Sequence, residues 1–374
     1  MRAVHISKVK GIAGSEQHLL MLLPGLAAHG VEVSMLVLEE ADGSAGEFCE
    51  ALAERGIPAR RVPIRGHLDP ALPGRLAAEL RAARPDLVHT HLLHADLYGL
   101  PAARRAGVPH AISSRHNDNP FRRNPVLKLA NRLAMRRADR VIAISHALAD
   151  FVRGVEGIEP DKVVTIHYGL QPRVYPPDVC ETARAAWGIA PDAPLIGYFG
   201  RLIEQKGVDV LIEAFARVRR EHGRARLVIV GDGDLRPALE EQARVAGVGD
   251  AVHFAGWVAD AARLMPTCDV IAMPSRWEGF GLVALEAMSA ARPLVASRVS
   301  ALPEIVDDPA TGRLVPPDDA GALAAALGDL LADPARAAAM GRAGRERLVQ
   351  AFAVDTMVQA TLDVYRSVVT AGRG

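Results

Sequence analysis

Short apolar runs alternate with longer stretches of helical spacing along nearly the whole chain, and this alternation constrains the fold more than any other feature. In the first half the runs span 3–7, 31–38, 61–64, 87–91, 111–114, 141–145 and 163–167. In the second they span 195–200, 227–231, 252–256, 270–274, 294–297 and 313–315. Between them, segments such as 208–220 and 235–246 are apolar at helical intervals. Near-continuous apolar strands are buried on both faces, which requires parallel sheets covered by helices, an α/β fold.

The stretch 168–194 breaks the alternation with Pro172, Pro176, Pro177, Pro191 and Pro194, residues that favour turns and linkers. A length of 374 residues accommodates two domains. The expected division is a doubly wound domain over 1–170, a linker over 171–194 and a second doubly wound domain over 195–354. The segment 352–370 reads as an amphipathic helix with no strand after it.

Charge and cysteine usage narrow the function. Lys and Arg total 44, as do Asp and Glu, so no basic excess points to nucleic acid as a partner. Cys49, Cys180 and Cys268 stand singly, giving neither a disulfide framework nor a thiolate metal site. A reducing cytoplasm is the expected compartment. Residues 1–7 read as a strand rather than a signal peptide. The longest apolar run, 19–28, contains Pro24 and Gly25 and is shorter than the ~20 residues that span a bilayer.

Open parallel sheets bind ligands at the carboxyl ends of their strands. Gly200-Arg201, Gly231-Asp232-Gly233, Gly256-Trp257 and the 275–281 loop each follow an expected strand in the second half, as do 9–15, 91–94 and 115–119 in the first. All of them can meet in one interdomain cleft. The stretch Pro274-Ser275-Arg276-Trp277-Glu278-Gly279-Phe280-Gly281-Leu282 with Glu286 sets two carboxylates around a helix mouth. Glu286 lies ~7.5 Å along the axis from Gly281 at 1.5 Å per residue. Two acceptors so spaced can grip hydroxyls at opposite ends of a ligand, and the free N–H groups between them suit an anion. Sugar hydroxyl, diphosphate and ribose hydroxyl follow that order in a nucleotide-sugar. Arg201 and Lys206, five residues apart on a strand-to-helix loop, add a forked and a point cation for the diphosphate.

These motifs, with Gly11-Ile12-Ala13-Gly14-Ser15-Glu16, Ala138-Asp139-Arg140-Val141-Ile142-Ala143-Ile144-Ser145, Lys206-Gly207, Arg292-Pro293-Leu294-Val295-Ala296-Ser297 and Leu302-Pro303-Glu304-Ile305-Val306, give a chain that resembles the retaining glycosyltransferases of family four, with the GT-B fold. The resemblance covers nearly the whole length. It implies two Rossmann-like domains and a last helix, 355–374, returning to the first. It also implies metal-independent transfer of a sugar from a nucleotide-sugar, UDP-linked in most of the family, to a glycan or glycolipid acceptor in cell-envelope synthesis. No cofactor is implied. The candidate catalytic residues are then Arg201 and Lys206 on the diphosphate, Glu278 on sugar hydroxyls and His116 beside the donor sugar. The candidate binding residues are Gly14, Glu16, His91, Gly200, Trp257 and Val258 near the base, backbone at Phe280, Gly281 and Leu282, and Glu286 on the ribose. Front-face attack would leave no role for a protein nucleophile. Ala13 stands where the family often has a second Gly, and His167-Tyr168-Gly169 where Pro-Asn-Gly is common. A GT-B epimerase or hydrolase would turn over without an acceptor, and a non-catalytic sensor would bind without turnover.

Other patterns are set aside. His89-Thr90-His91-Leu92-Leu93-His94 lacks the Asp and the later ligands of a metal hydrolase, and its histidines are expected to hydrogen-bond at a strand end. Asp232-Gly233-Asp234 opens a helix, where acidic caps are routine. Arg236 replaces the third glycine of a dinucleotide fingerprint. The basic stretch 122–140 contains a helix at 125–137 on which Leu127, Ala130, Leu133 and Ala134 face one way and the cations another, a pattern compatible with an anionic membrane surface.

Overall fold

In the computed structural model, which describes residues 1–66, 69–117, 125–176 and 178–371, every one of the expected runs carries a strand. The first seven are β1 (Arg2–Lys8), β2 (Glu32–Glu39), β3 (Ala59–Pro63), β4 (Leu87–His91), β5 (His110–Arg115), β6 (Arg140–Ala143) and β7 (Val163–Thr165). They pair in parallel in the order β3-β2-β1-β4-β5-β6-β7. Helices α1 (Gly14–Ala28), α2 (Gly46–Glu54), α3 (Leu72–Ala83), α4 (Leu92–Ala106), α5 (Pro125–Met135) and α6 (His146–Phe151) connect them. The strand order reverses between β1 and β4, so their carboxyl ends form a switch point, where open α/β sheets bind ligands. Strand β6 stops two residues before the expected end, because the Ser145 hydroxyl accepts the Leu148 N–H at 3.0 Å and caps α6.

The second sheet repeats this plan. Its strands β8 (Leu195–Phe199), β9 (Arg226–Val230), β10 (Val252–Gly256), β11 (Val270–Met273), β12 (Leu294–Ser297) and β13 (Gly312–Val315) are parallel in the order β10-β9-β8-β11-β12-β13. Around it lie α7 (Val179–Ala186), α8 (Val208–Glu221), α9 (Arg236–Val245), α10 (Leu282–Ser289), α11 (Leu302–Ile305), α12 (Ala320–Ala332) and α13 (Pro334–Ala351). The switch point here lies between β8 and β11.

The chain separates into two compact units, Met1–Gly169 with Val354–Gly374 and Leu170–Ala353. The last helix, α14 (Val354–Ala371), packs on α1 in the first unit, where Met357, Val358, Leu362 and Tyr365 join Leu19, Leu22, Leu23 and Leu26 in one core. The approach is close: a Cβ on Gly25 would stand 2.4 Å from Val358 Cγ2. The stretch 171–194 is more than a linker. It carries α7, and the Arg184 guanidinium donates to the carbonyls of Ala193 at 2.7 Å and Thr267 at 3.0 Å, fixing the segment to the second unit.

The expected apolar face of α5 is also revised. Asn131, Ala134 and Met135 are buried, while Leu129 and Leu133 are 61% and 51% exposed. The reason is the fully enclosed Arg115, whose guanidinium pairs with Asp96, donates to Glu156 at 3.0 Å and reaches the Asn131 carbonyl at 2.9 Å. A buried charge needs such partners, and satisfying it turns Asn131 inward and Leu133 outward. Arg122 and Arg123 lie outside the described residues. Among the described residues, no helix is long and apolar enough to cross a membrane.

Candidate active site

At the second switch point the loops after β8, β9 and β11 are locked together by backbone contacts that only glycine permits. Gly207, at φ +61°, would place a Cβ 2.2 Å from the Pro274 carbonyl oxygen, and Gly231, at φ +138°, would place one 1.9 Å from that of Gly200. The Tyr198 hydroxyl donates to the Arg201 carbonyl at 2.8 Å. Arg276 braces the arrangement, donating to Glu204 O at 2.8 Å and to both Asp209 oxygens at 3.0 and 2.7 Å.

This scaffold brings Lys206 and Glu278 together. The Lys206 ammonium donates to Glu278 Oε1 at 2.5 Å, and the Ser275 hydroxyl donates to the same oxygen at 2.8 Å. The Glu278 N–H in turn donates to Ser300 Oγ at 3.1 Å. Ser300 holds φ +48°, a backbone state that costs a non-glycine residue energy and often marks a functional position. Arg201 is exposed among these loops.

Gly281, at φ +101°, is the N-cap of α10, and no side chain caps that end. The N–H groups of Leu282 and Val283 are therefore left for an anion, while that of Ala284 bonds the Gly281 carbonyl at 2.8 Å. Helix α10 ends at Ser289, and Glu286 opens its last turn. Burial pushes the Glu286 carboxyl up to about 7, with Arg173 opposing the rise and Asp260 adding to it. Phe280 is buried edge-on to Phe352, 6.3 Å between centroids, so what it offers a ligand is backbone. Leu282 opens α10, Trp257 is 74% exposed beyond β10 with the half-buried Val258 next to it, and Gly200 follows β8. Asp232 and Asp234 precede α9 without capping it, contrary to the expectation. Its N-cap is Leu235, and Asp232 instead pairs with Arg236 at 3.6 Å.

The first unit presents a different constellation at its own switch point. A cavity of about 640 Å³ is lined by Lys8, Lys10, Ile12, Glu16, Leu93 and His94 among others. Both lysines pair with Glu40, at 2.5 and 3.0 Å, and their contacts hold its carboxyl down at about 2. Gly14 starts α1, and Glu16 Oε2 accepts the Ala13 N–H at 3.1 Å and the Ser15 hydroxyl at 3.0 Å, so this carboxylate closes the helix start while lining the cavity. Burial raises it above the usual carboxylate range. His116 is 7% exposed, with Nε2 3.0 Å from His91 Nδ1 and Nδ1 2.5 Å from the Tyr168 hydroxyl. His91, expected to meet substrate, is wholly enclosed between His5 and His116. It ends β4, every residue of which is buried, and its Nδ1 meets His116 Nε2.

Two doubly wound parallel units, one with a cation and carboxylates around an uncapped helix mouth, define a nucleotide-binding α/β enzyme class. Known proteins agree. Residues 13–169 match the family described as "Glycosyl transferase 4-like domain" and residues 193–333 the one described as "Glycosyl transferases group 1". A D-inositol 3-phosphate glycosyltransferase of Kineococcus radiotolerans is 34% identical, the match covering 95% of this chain and 91% of the relative. An alpha-maltose-1-phosphate synthase of Mycolicibacterium smegmatis is 32% identical over 81% and 87% of the two chains. Anabaena HepE, solved with UDP-glucose, superposes with a TM-score of 0.85 at 25% identity, covering 98% of this chain and 100% of HepE. The chain belongs to the group 1, family 4 glycosyltransferases, and it has their two-domain GT-B fold.

Sequence reading missed Ser275, Ser300, His5 and Tyr365. Ser275 sits within the quoted motif and could have been found there. Ser300 lies 22 residues from the Glu278 backbone it holds, and Tyr365 lies 276 residues from His89. No spacing rule joins such pairs.

Proposed function

We propose that this protein is a retaining glycosyltransferase that moves a sugar from a UDP-sugar to a hydroxyl of a lipid-linked or oligosaccharide acceptor in cell-envelope glycan synthesis. The observation that carries the reading is the Lys206–Glu278 pair, braced by Ser275 and Ser300 beside the uncapped start of α10. Lys206 and Arg201 neutralise the diphosphate, whose charge grows as the glycosidic bond breaks, and preorganised cations there lower the barrier. Glu278 accepts from sugar hydroxyls and Glu286 from the ribose. The C1–O bond to phosphate breaks on the face where the acceptor oxygen bonds to C1. The acceptor proton passes to the departing diphosphate, so neither a metal nor a protein nucleophile is used. HepE, solved with UDP-glucose, supports uridine as the base.

The test is a calorimetric screen of nucleotide-sugars, followed by transfer assays in which the anomeric configuration of the product is read by NMR. Binding of no nucleotide-sugar, or an inverted product, would reject the reading.

A second reading of the acceptor, a phosphate-bearing sugar or polyol, has its own observation. Lys8 and Lys10 share a single carboxylate, Glu40, at the wall of the first unit's cavity, and two of the relatives carry a phosphorylated sugar or polyol in their names, D-inositol 3-phosphate and alpha-maltose 1-phosphate. A lipid-linked acceptor would bring the enzyme to the inner membrane face. Leu129 and Leu133 project from α5 among exposed Arg132, Arg136 and Arg137, the pairing of apolar and basic groups that anionic bilayers attract. Sedimentation with phosphatidylglycerol vesicles at low salt should capture the protein and lose it on Leu129→Ser with Leu133→Ser. Equal capture of the double variant would remove the membrane role.

A further inference from the structure

The first unit holds a single file of hydrogen-bonded rings that the transfer reaction, as described so far, does not use. His116 Nε2 meets His91 Nδ1 at 3.0 Å, and His91 Nε2 meets His5 Nδ1 at 2.9 Å. His5 Nε2 meets the Tyr365 hydroxyl at 3.1 Å, and that hydroxyl meets His89 Nδ1 at 2.7 Å. His89 Nε2 then meets Ser114 Oγ at 2.7 Å. At the other end Tyr168 meets His116 Nδ1 at 2.5 Å. Every imidazole is entered through Nδ1 and left through Nε2.

That head-to-tail order has a strict consequence. His5, His89 and His91 are fully enclosed, and burial first, then neighbouring imidazoles, hold them far below the usual histidine range. A neutral imidazole carries one donor and one acceptor. Reversing one ring would set two donors or two lone pairs face to face in a buried space, which is costly. His116, His91 and His5, joined nitrogen to nitrogen, therefore share one tautomer, and His89 follows them when the Tyr365 hydroxyl donates to its Nδ1.

A contact length selects the tautomer. A hydroxyl donating gives shorter contacts than a ring N–H donating. Only the Tyr168–His116 contact, at 2.5 Å, is too short for a ring N–H donor, so it sets Tyr168 as donor to His116 Nδ1. Passing that order along the file makes Tyr365 the donor to His89 Nδ1 and Ser114 Oγ the acceptor from His89 Nε2. Each ring then carries its proton on Nε2.

We propose that His91, His5, Tyr365 and His89 are positioning residues that hold His116 in its Nε2–H tautomer, so that Nδ1 is always the acceptor it offers to the Tyr168 hydroxyl or to a substrate hydroxyl taking that place. The function of the chain rests on the reading of His116 as a residue of the transfer site. It also gives the returning helix α14 a task beyond packing, because the Tyr365 hydroxyl links the His5 and His89 rings by hydrogen bonds. The ring nitrogens of His5, His89 and His91 lie close enough together to hold a metal ion, yet each is already committed to a partner within the chain.

The experiment uses the full chain labelled with 15N-histidine and long-range 15N–1H correlation spectra, which distinguish protonated from bare ring nitrogens. The expected spectrum has His5, His89, His91 and His116 all as Nε2–H. Any one of the four found as Nδ1–H overturns the proposal, as does a Zn2+ titration that moves the His5, His89 and His91 signals together. Tyr365→Phe removes one hydroxyl and is expected to leave His116 with mixed tautomers. It should cut kcat by roughly tenfold, tautomer control in a catalytic triad being worth up to ~10⁴, with the Kd for UDP unchanged. A disturbed spectrum with unchanged kcat would refute the positioning role. Absence of any transfer by the wild type would instead refute the function, while the wild-type spectrum still decides the chain.

Discussion

Lys206 and Glu278 were expected to act on different parts of the donor, yet they face each other at 2.5 Å. Removing either therefore changes the charge felt by the other. Lys206→Ala removes a charge-assisted contact to the diphosphate, worth about 1.5–3 kcal/mol, and should weaken UDP about 10- to 100-fold by calorimetry. Glu278→Ala frees the ammonium from its internal partner, so UDP should bind as well or better while sugar discrimination falls. A comparable loss of UDP affinity in both variants would contradict this division. Glu286 offers a second test. Its carboxyl keeps a proton to about 7 in the fold but releases it near 4.5 in the unfolded chain. Between those values the folded state binds more protons, so stability falls as pH rises through that window. Glu286→Gln should cancel a slope of roughly 1–3 kcal/mol, seen as a higher midpoint than wild type at pH 8 and an equal one at pH 4 in urea titrations. These residues were legible as a motif. Their mutual pairing and the desolvation of the half-buried Glu286 were not, because both depend on how loops from different strands meet.

At the scale of elements, all thirteen strands were legible because parallel strands buried on both faces are written as apolar runs. Helix α5 was legible as a helix, but its inner face was not. An amphipathic projection turns leucines inward, whereas the Arg115 network demands Asn131 there. The seam between α1 and α14 shows the same limit. Val358 is β-branched and cannot swing away easily, so Gly25→Ala should cost about 1–3 kcal/mol by overpacking. Val358→Ala in the same chain should recover part of that loss in thermal denaturation. Failure of the second change to rescue the first would show that the two helices do not bear on each other through this contact.

For the whole molecule, the Pro-rich stretch marked where one unit ends, and the structure moved α7 into the second unit through Arg184. Lys206, Glu278, Ser275, Ser300, Glu286 and α10 all belong to that unit. Residues 170–353 expressed alone should accordingly fold and bind UDP within a few-fold of the full chain. A fragment that folds but does not bind would mean the diphosphate needs groups from the first unit.

The alternation of apolar runs with helical spacing gave the α/β architecture and the number of strands from the sequence alone, and the loop motifs at strand ends carried the family resemblance. Those properties are local: periodicity and short spacing are enough to specify them. The tertiary structure alone decided that Glu278 neutralises Lys206, that Leu133 faces outward, and that Tyr365 closes a file of histidines from strands β1 and β4 and the loop after β5. Each of these depends on side chains far apart in sequence satisfying one another's buried polar groups, and no window of sequence contains both partners.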